Sequence, residues 1–275
     1  MTRSEGTLAS KRPQGWAAFC SGPQYPREAR QTAQMTSVNT EQTKFQRPGG
    51  FPKVTVVICT LNEASNISAV LPRIPDWIDE VLLVDGNSTD GTVQIAKALL
   101  PKVHVLYQLK PGKDFALSLG IQHARGDIIV TLDSDGEAAP EEIAQFIEPL
   151  FRGYDFVKGS RFARGWRNKP VARILGNWLI VKACNAIYGT RFTDLCSGYN
   201  AFWKRRTEEV NLWHCDGWNY EPRIIARALA AGLRVTELPQ RYEGRFSGES
   251  KLPDWRQGLH SVGSLILERL RSLCG

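Results

Sequence analysis

Ile128-Ile129-Val130-Thr131-Leu132-Asp133-Ser134-Asp135-Gly136-Glu137 is an apolar run that stops on two carboxylates one residue apart. Entered from Gly126-Asp127 and left by an abrupt polar turn, it predicts a fully buried central strand rather than an amphipathic helix. The carboxylates then stand at the C-terminal end of that strand. In an open α/β sheet this is the edge where ligands bind, and Asp-x-Asp in extended chain offers one cation two hard oxygen ligands. Such a pair suits Mg²⁺ or Mn²⁺ on a diphosphate. Two aspartates also serve simply to end a strand and begin a turn, so the flanking segments have to decide.

On the N-terminal side, Val54 to Cys59 is a second buried-strand pattern, followed by the polar turn Thr60-Leu61-Asn62-Glu63. A helix is expected from about Ser65, ended by Pro72 and Pro75. Glu80 to Val84 reads as a strand that closes on Asp85-Gly86-Asn87-Ser88-Thr89-Asp90-Gly91-Thr92, a run of turn and capping residues. A helix over Val93 to Leu100 and a strand around Val103 to Tyr107 complete β-α-β-α-β, with polar loops at successive strand ends. That is the pattern of a nucleotide-binding α/β half. Simple turn chemistry and helix capping are the lesser alternative for the Asp85 to Thr92 loop. Lys110-Pro111-Gly112-Lys113 then opens a helix to His123, and a lysine beside a helix N-terminus is a ready anion site.

On the C-terminal side, a capped helix is expected over Pro140 to Phe151, with Glu141 and Glu142 in its first turn. Phe156 to Phe162 reads as a short strand ending on the basic turn at Arg161. Residues 171 to 188 form an amphipathic helix, which packing against a core explains better than a position on a membrane surface. Thr193 to Phe202 offers Asp194, a tight glycine and aromatics. Glu221 opens a helix to Ala231 with Gly232 as its cap, and Val235 to Pro239 is a further strand. Arg245 to Leu252 gathers Arg245, Ser250 and Lys251 in one loop, either solvated or a phosphate clamp.

The chain of 275 residues is 42% hydrophobic, enough for a full core. Three segments are expected: a disordered basic tail over 1 to 50, one α/β domain over 51 to 257, and an amphipathic helix over 258 to 275. The tail carries seven Lys or Arg against three acids and few aliphatic residues, too little apolar surface to offset ordering. Met35, the only methionine besides Met1, is a candidate start. Residues 151 to 206 hold twelve Lys or Arg against Asp155 and Asp194, an excess that suits polyanions. Without a helix-turn-helix, zinc or aromatic-platform pattern, nucleic acid is a poor candidate. The six cysteines lack Cys-x-x-Cys spacing and read as reduced thiols of a cytosolic protein. No apolar run reaches the roughly 20 residues of a membrane span, and no signal-peptide core is visible.

With these motifs in this order, the chain resembles the family 2 glycosyltransferases of GT-A fold, and among them the polyprenyl-phosphate sugar synthases typified by dolichol-phosphate mannosyltransferase. The resemblance runs from Val54 to about Leu252. It rests jointly on Thr60 to Glu63, Asp85 to Thr92, Gly112-Lys113 with Ala116-Leu117, Asp133 to Glu137, Gly159-Ser160-Arg161, Asp194 with Ser197-Gly198-Tyr199, and Arg245 through Ser250-Lys251-Leu252. It implies a mostly parallel, Rossmann-like mixed sheet with helices on both faces. It implies nucleotide contacts at Thr60, Asn62, Glu63, Asp85, Asp90 and Lys113, with Asp133, Asp135 and Glu137 holding Mg²⁺ or Mn²⁺. Arg161, Arg245, Ser250 and Lys251 would face phosphates. Where the family often has two successive aspartates this chain has Asp85-Gly86, which leaves the donor's base, GDP- or UDP-linked, open. The implied reaction is a single in-line displacement with inversion at the anomeric carbon. A polyprenyl phosphate acceptor is already anionic; a hydroxyl acceptor needs a base, with Asp194 first and Glu221 second in line. The expected protein is cytoplasmic and peripheral on the membrane. Alternatives are the same transfer to a soluble hydroxyl acceptor, a nucleotidyltransferase that would release pyrophosphate, and a catalytically inactive nucleotide-binding scaffold.

Overall fold

The computed structural model describes residues 50–163, 171–210, 212, 220–247 and 256–274, and residues 52 to 275 form one compact unit. Ser250 and Lys251 lie outside the described residues, as does the tail. The described strands are β1 (Val54–Thr60), β2 (Glu80–Asp85), β3 (His104–Tyr107), β4 (Ile128–Asp133), β5 (Phe156–Ser160), β6 (Asn200–Trp203) and β7 (Val235–Pro239). They build one sheet in the order β3-β2-β1-β4-β6-β5-β7. β1 pairs in parallel with β2 and β4, β2 with β3 and β5 with β7, whereas β6 runs antiparallel to β4 and β5. The expected mixed, mostly parallel sheet is what forms.

The described α-helices are α1 (Ala64–Val70), α2 (Thr92–Leu99), α3 (Lys113–His123), α4 (Ile143–Ile147), α5 (Val171–Tyr188), α6 (Lys204–Glu209), α7 (Tyr220–Ala230) and α8 (Arg256–Cys274). The strands of the parallel half are buried on both faces, so they read as apolar runs and were legible as such. On one face Val57, Val84, Ile129, Phe156 and Phe202 meet apolar residues of α3, α5, α7 and α8. By strand alternation Val56, Ile58 and Leu132 face the other layer, where Phe146 stacks on Tyr199 with centroids 3.8 Å apart.

One helix departs from expectation. Pro140 to Phe151 is not continuous: turns of 3₁₀-helix over Pro140–Glu142 and Glu148–Arg152 flank the short α4. Pro149 has no N–H to donate and crowds the carbonyl four residues back, so the α-helix cannot pass through it. Gly120 has the opposite role. A Cβ there would fall 2.5 Å from Val57 Cγ1 and 2.9 Å from Val84 Cγ2, so only glycine lets α3 lie this close to the sheet.

The reversed strand organises the functional edge. Because β6 is antiparallel, the chain enters it where β4 ends: Thr131 pairs with Asn200. The loop before β6 therefore meets the C-terminal ends of β4, β5 and β7, at the same edge of the sheet where β1 and β2 end.

Candidate active site

At that edge Asp133 closes β4 and Lys113 opens α3. Lys113 Nζ lies 2.6 Å from Asp133 Oδ1 and 2.7 Å from Glu221 Oε1, so one ammonium bridges carboxylates from two elements. Burial opposes its charge, but Asp133 and Glu221 outweigh that and hold the ammonium well above the usual lysine range. Gly198 stands directly against Asp133: a Cβ built there would come 2.5 Å from Oδ1 and 2.6 Å from Cγ. Its carbonyl is pinned by Thr131 Oγ1 at 2.7 Å.

Asp135 lies one turn further on. Burial, followed by the carboxylates of Asp133 and Glu137, pushes it up to about 7. Arg245 Nη1 approaches its Oδ2 at 3.5 Å, and Arg245 Nη2 also pairs with Glu63 Oε1. Backbone bonds from Phe246 to Asp135 (3.2 Å) and from Glu243 to Glu137 (3.2 Å) lay the segment after β7 along the Asp-x-Asp loop. Tyr242 Oη donates to Glu137 Oε1 at 3.4 Å.

The expected three-carboxylate set is not gathered. Among the described residues no group of three His, Cys, Asp or Glu side chains could hold a metal ion, and Glu137 is tied to the 242–246 segment. The donor chemistry at Asp133 and Asp135 does fit a hard divalent ion: the oxygens are carboxylate, and burial together with the Asp133 charge keeps Asp135 from ionising easily. In the structure Lys113 and Arg245 supply the countercharge.

The nucleotide-side expectations separate into two groups. Asp85 is buried and its carboxylate accepts from Ser88 N (2.8 Å), Ser88 Oγ (2.6 Å) and Thr60 Oγ1 (3.2 Å). Asn62, at φ 53, accepts from Thr89 N at 2.8 Å, which ties the β1 turn to the β2 loop. Asp90 accepts from Ala64 N and Thr92 N, each at 3.0 Å, and so caps α1 and α2 together. These residues order the loops after β1 and β2. Lys113 pairs with Asp133 directly, whereas Glu63 pairs with Arg245, which in turn approaches Asp135.

Arg161 and Asp194 form a further pair. Asp194 is fully buried, and Arg161 grips it in a fork, Nε to Oδ2 at 2.8 Å and Nη2 to Oδ1 at 3.1 Å. Cys196 N adds 2.8 Å to Oδ1. Burial would raise this acid, but the guanidinium, Lys158 and the Cys196 N–H hold it well below the ordinary carboxylate range. An acid so held accepts a proton poorly, so the geometry gives Asp194 the task of fixing Arg161 and the 194–198 loop rather than that of a general base. Glu237 supports the same loop from β7, accepting from Thr193 Oγ1 at 2.7 Å and from Asp194 N at 3.1 Å. Neither Glu237 nor Gln240, which accepts from Ser197 Oγ at 2.6 Å, was singled out from sequence. Both are polar residues on or beside an edge strand, where their partners are fixed only by the sheet order.

The edge thus carries two carboxylates at the end of a central strand, cations from three loops, and a glycine that lets backbone touch one carboxylate. The Glycosyl transferase family 2 pattern matches residues 55–210. Glycosyltransferase AglJ of Haloferax volcanii is 33% identical over 226 residues, 79% of this chain and 71% of that protein. The undecaprenyl-phosphate mannosyltransferase of Micrococcus luteus is 31% identical over 213 residues, 73% and 87% of the two chains. Among solved structures, glucosyl-3-phosphoglycerate synthase from Mycobacterium tuberculosis in complex with UDP shares the fold at a TM-score of 0.60. It is 21% identical, and the match covers 82% of this chain and 86% of that one. The chain belongs to glycosyl transferase family 2.

Proposed function

We propose that this protein moves a sugar from a nucleoside-diphosphate donor to the phosphate of a polyprenyl phosphate, with inversion at the anomeric carbon. One observation carries the choice of acceptor: Asp133, Glu221 and Asp194 are each already paired with a lysine or arginine. A phosphate oxygen is anionic at neutral pH and needs no proton removed, whereas a hydroxyl does. The relatives support the same reading, since those from Micrococcus luteus and Pyrococcus furiosus are named undecaprenyl-phosphate and dolichol-phosphate mannosyltransferases.

In this reading Asp133 and Asp135 would hold Mg²⁺ or Mn²⁺, a divalent charge that would stabilise the nucleoside diphosphate leaving group. Lys113 and Arg245 pass from their carboxylate partners to the donor's phosphates. Arg161, held rigid by Asp194, presents its remaining N–H groups to the acceptor phosphate, and Glu63 faces the nucleoside. The donor is GDP- or UDP-linked, and the enzyme works at the membrane surface.

The test supplies labelled GDP- and UDP-hexoses with undecaprenyl or dolichyl phosphate in detergent, with Mg²⁺ or Mn²⁺. Label should move into the organic phase with release of nucleoside diphosphate, and Asp135→Asn should stop it while the variant still melts cooperatively. Label confined to water-soluble product, or near-normal turnover by Asp135→Asn, overturns the reading.

A further inference from the structure

α5 and α8 pack against each other, joined by Tyr188 Oη donating to Leu265 O at 3.0 Å and by the Arg269 guanidinium 5.9 Å from the Tyr188 ring. Each turns a second apolar face outward. On α5, Asn177, Ile180, Val181 and Cys184 are buried, yet Leu175, Trp178 and Leu179 are 63%, 47% and 41% exposed. On α8, Ser261, Leu265 and Glu268 are buried, yet Ile266, Leu267 and Leu270 are 47%, 45% and 54% exposed. At about 100° per residue, both exposed sets lie roughly opposite the buried ones. A helix apolar on both sides is normally covered on both sides.

The charges say what covers it. Among the described side chains of the two helices the exposed charged residues are Lys182, Arg269 and Arg271, all basic. On the helical wheel Arg269 and Arg271 flank the Ile266, Leu267 and Leu270 stripe on either side. The one acid, Glu268, is buried and consumed by Arg223 Nε at 2.9 Å, Arg227 Nε at 3.1 Å and Arg271 Nη1 at 3.2 Å. On α5 Lys182 stands within the Leu175, Trp178 and Leu179 stripe, and apolar stripes whose exposed charges, among the described side chains, are all cations repel a second copy of themselves. They also repel the N-terminal tail, with its seven Lys or Arg against three acids. They complement an apolar layer under anionic headgroups. None of the described helices is long and apolar enough to cross a membrane, so the contact is with its surface.

We infer that the outward faces of α5 and α8 together form the surface by which the enzyme lies on an anionic lipid bilayer. The choice of a bilayer rests on the proposed acceptor being a membrane lipid. Docked by these helices, the enzyme takes that lipid's phosphate from the surface on which it lies, with no spanning segment required of these helices.

Co-sedimentation of the full chain with vesicles tests this, using phosphatidylcholine alone or mixed with phosphatidylglycerol. Wild type should pellet with the anionic vesicles and release at high salt. Leu175→Glu with Leu179→Glu, and separately Leu267→Glu with Leu270→Glu, should each need at least tenfold more lipid. All these positions are exposed, so the melting temperature should hold. Sugar transfer to a short-chain, water-soluble polyprenyl phosphate should be unchanged. Equal lipid binding by wild type and variants overturns the surface. So does a wild type that is dimeric in solution while both variants are monomeric. Vesicle binding without transfer to any polyprenyl phosphate keeps the docking surface and overturns the acceptor; transfer without vesicle binding does the reverse.

Discussion

Gly198→Ala separates folding from catalysis at this edge. The added Cβ would sit 2.5 Å from Asp133 Oδ1, where ordinary contact begins at 3.4 Å, so one of the two must move by about 0.9 Å. The backbone cannot readily do so, because the Gly198 carbonyl is held by Thr131 Oγ1 and β6 begins two residues later. Asp133 moves instead, which disturbs its 2.6 Å pair with Lys113 and the position that the proposed metal and diphosphate binding would require. Overpacking of this kind costs about 1–3 kcal/mol of stability, less here because the side chain that gives way is partly exposed. A misplacement of about 1 Å in a reacting constellation costs on the order of 10²-fold in rate, or about 2.7 kcal/mol at the transition state. Nucleoside diphosphate release under subsaturating donor should therefore fall about a hundredfold, with a melting temperature only a few degrees below wild type. A variant within threefold of wild-type kcat/KM, equally stable, would refute the claim that Gly198 sets the position of Asp133.

Asp194→Asn and Arg161→Met each leave a buried partner uncompensated and should cost about 3–5 kcal/mol in chemical denaturation. The acid's contribution has a definite pH range. Its folded value lies below the unfolded one, so stabilisation is complete above the ordinary aspartate range near about pH 4 and is lost as acid approaches the depressed value. Wild-type stability should show no loss from this pair between pH 7 and 5, and the Asp194→Asn variant should lack the steep fall below pH 4. For Asp135 the shift is upward to about 7, so its anion, the form that the proposed metal role requires, is the minority form at pH 6. Mn²⁺ affinity in the presence of nucleoside diphosphate, read by calorimetry, should rise about tenfold from pH 6 to pH 8.

The parallel half of the fold was legible because its strands are buried on both faces. Val54 to Cys59 and Ile128 to Leu132 are apolar runs that need no alternation to be recognised. The strand Asn200–Trp203 was not, because four residues among glycine and aromatics carry no period and their direction is set by pairing with Thr131 and Lys158. Pro149 is visible in the sequence, yet the apolar periodicity around it still suggested one helix. At the site, Asp133, Asp135 and Lys113 were legible as residue types at strand and helix ends. Their partnerships were not: Lys113 meets Glu221 across 108 positions, and Arg245 meets Glu63 across 182. For Asp194, the sequence shows a carboxylate in a loop; only the fork from Arg161 says that it is kept as an anion.

The segment after β7 that lies along the Asp-x-Asp loop bears on how the chain matures. The family match ends at residue 210, by which point β1 to β6 have all been made. A nascent chain of that length lacks β7, so β5 keeps a bare edge, and it lacks Glu237, which steadies the Asp194 loop, and Arg245, which spans Glu63 and Asp135. This edge of the sheet is therefore completed only by residues that follow position 210, and a fragment trimmed to the matched region should expose a strand edge prone to aggregation.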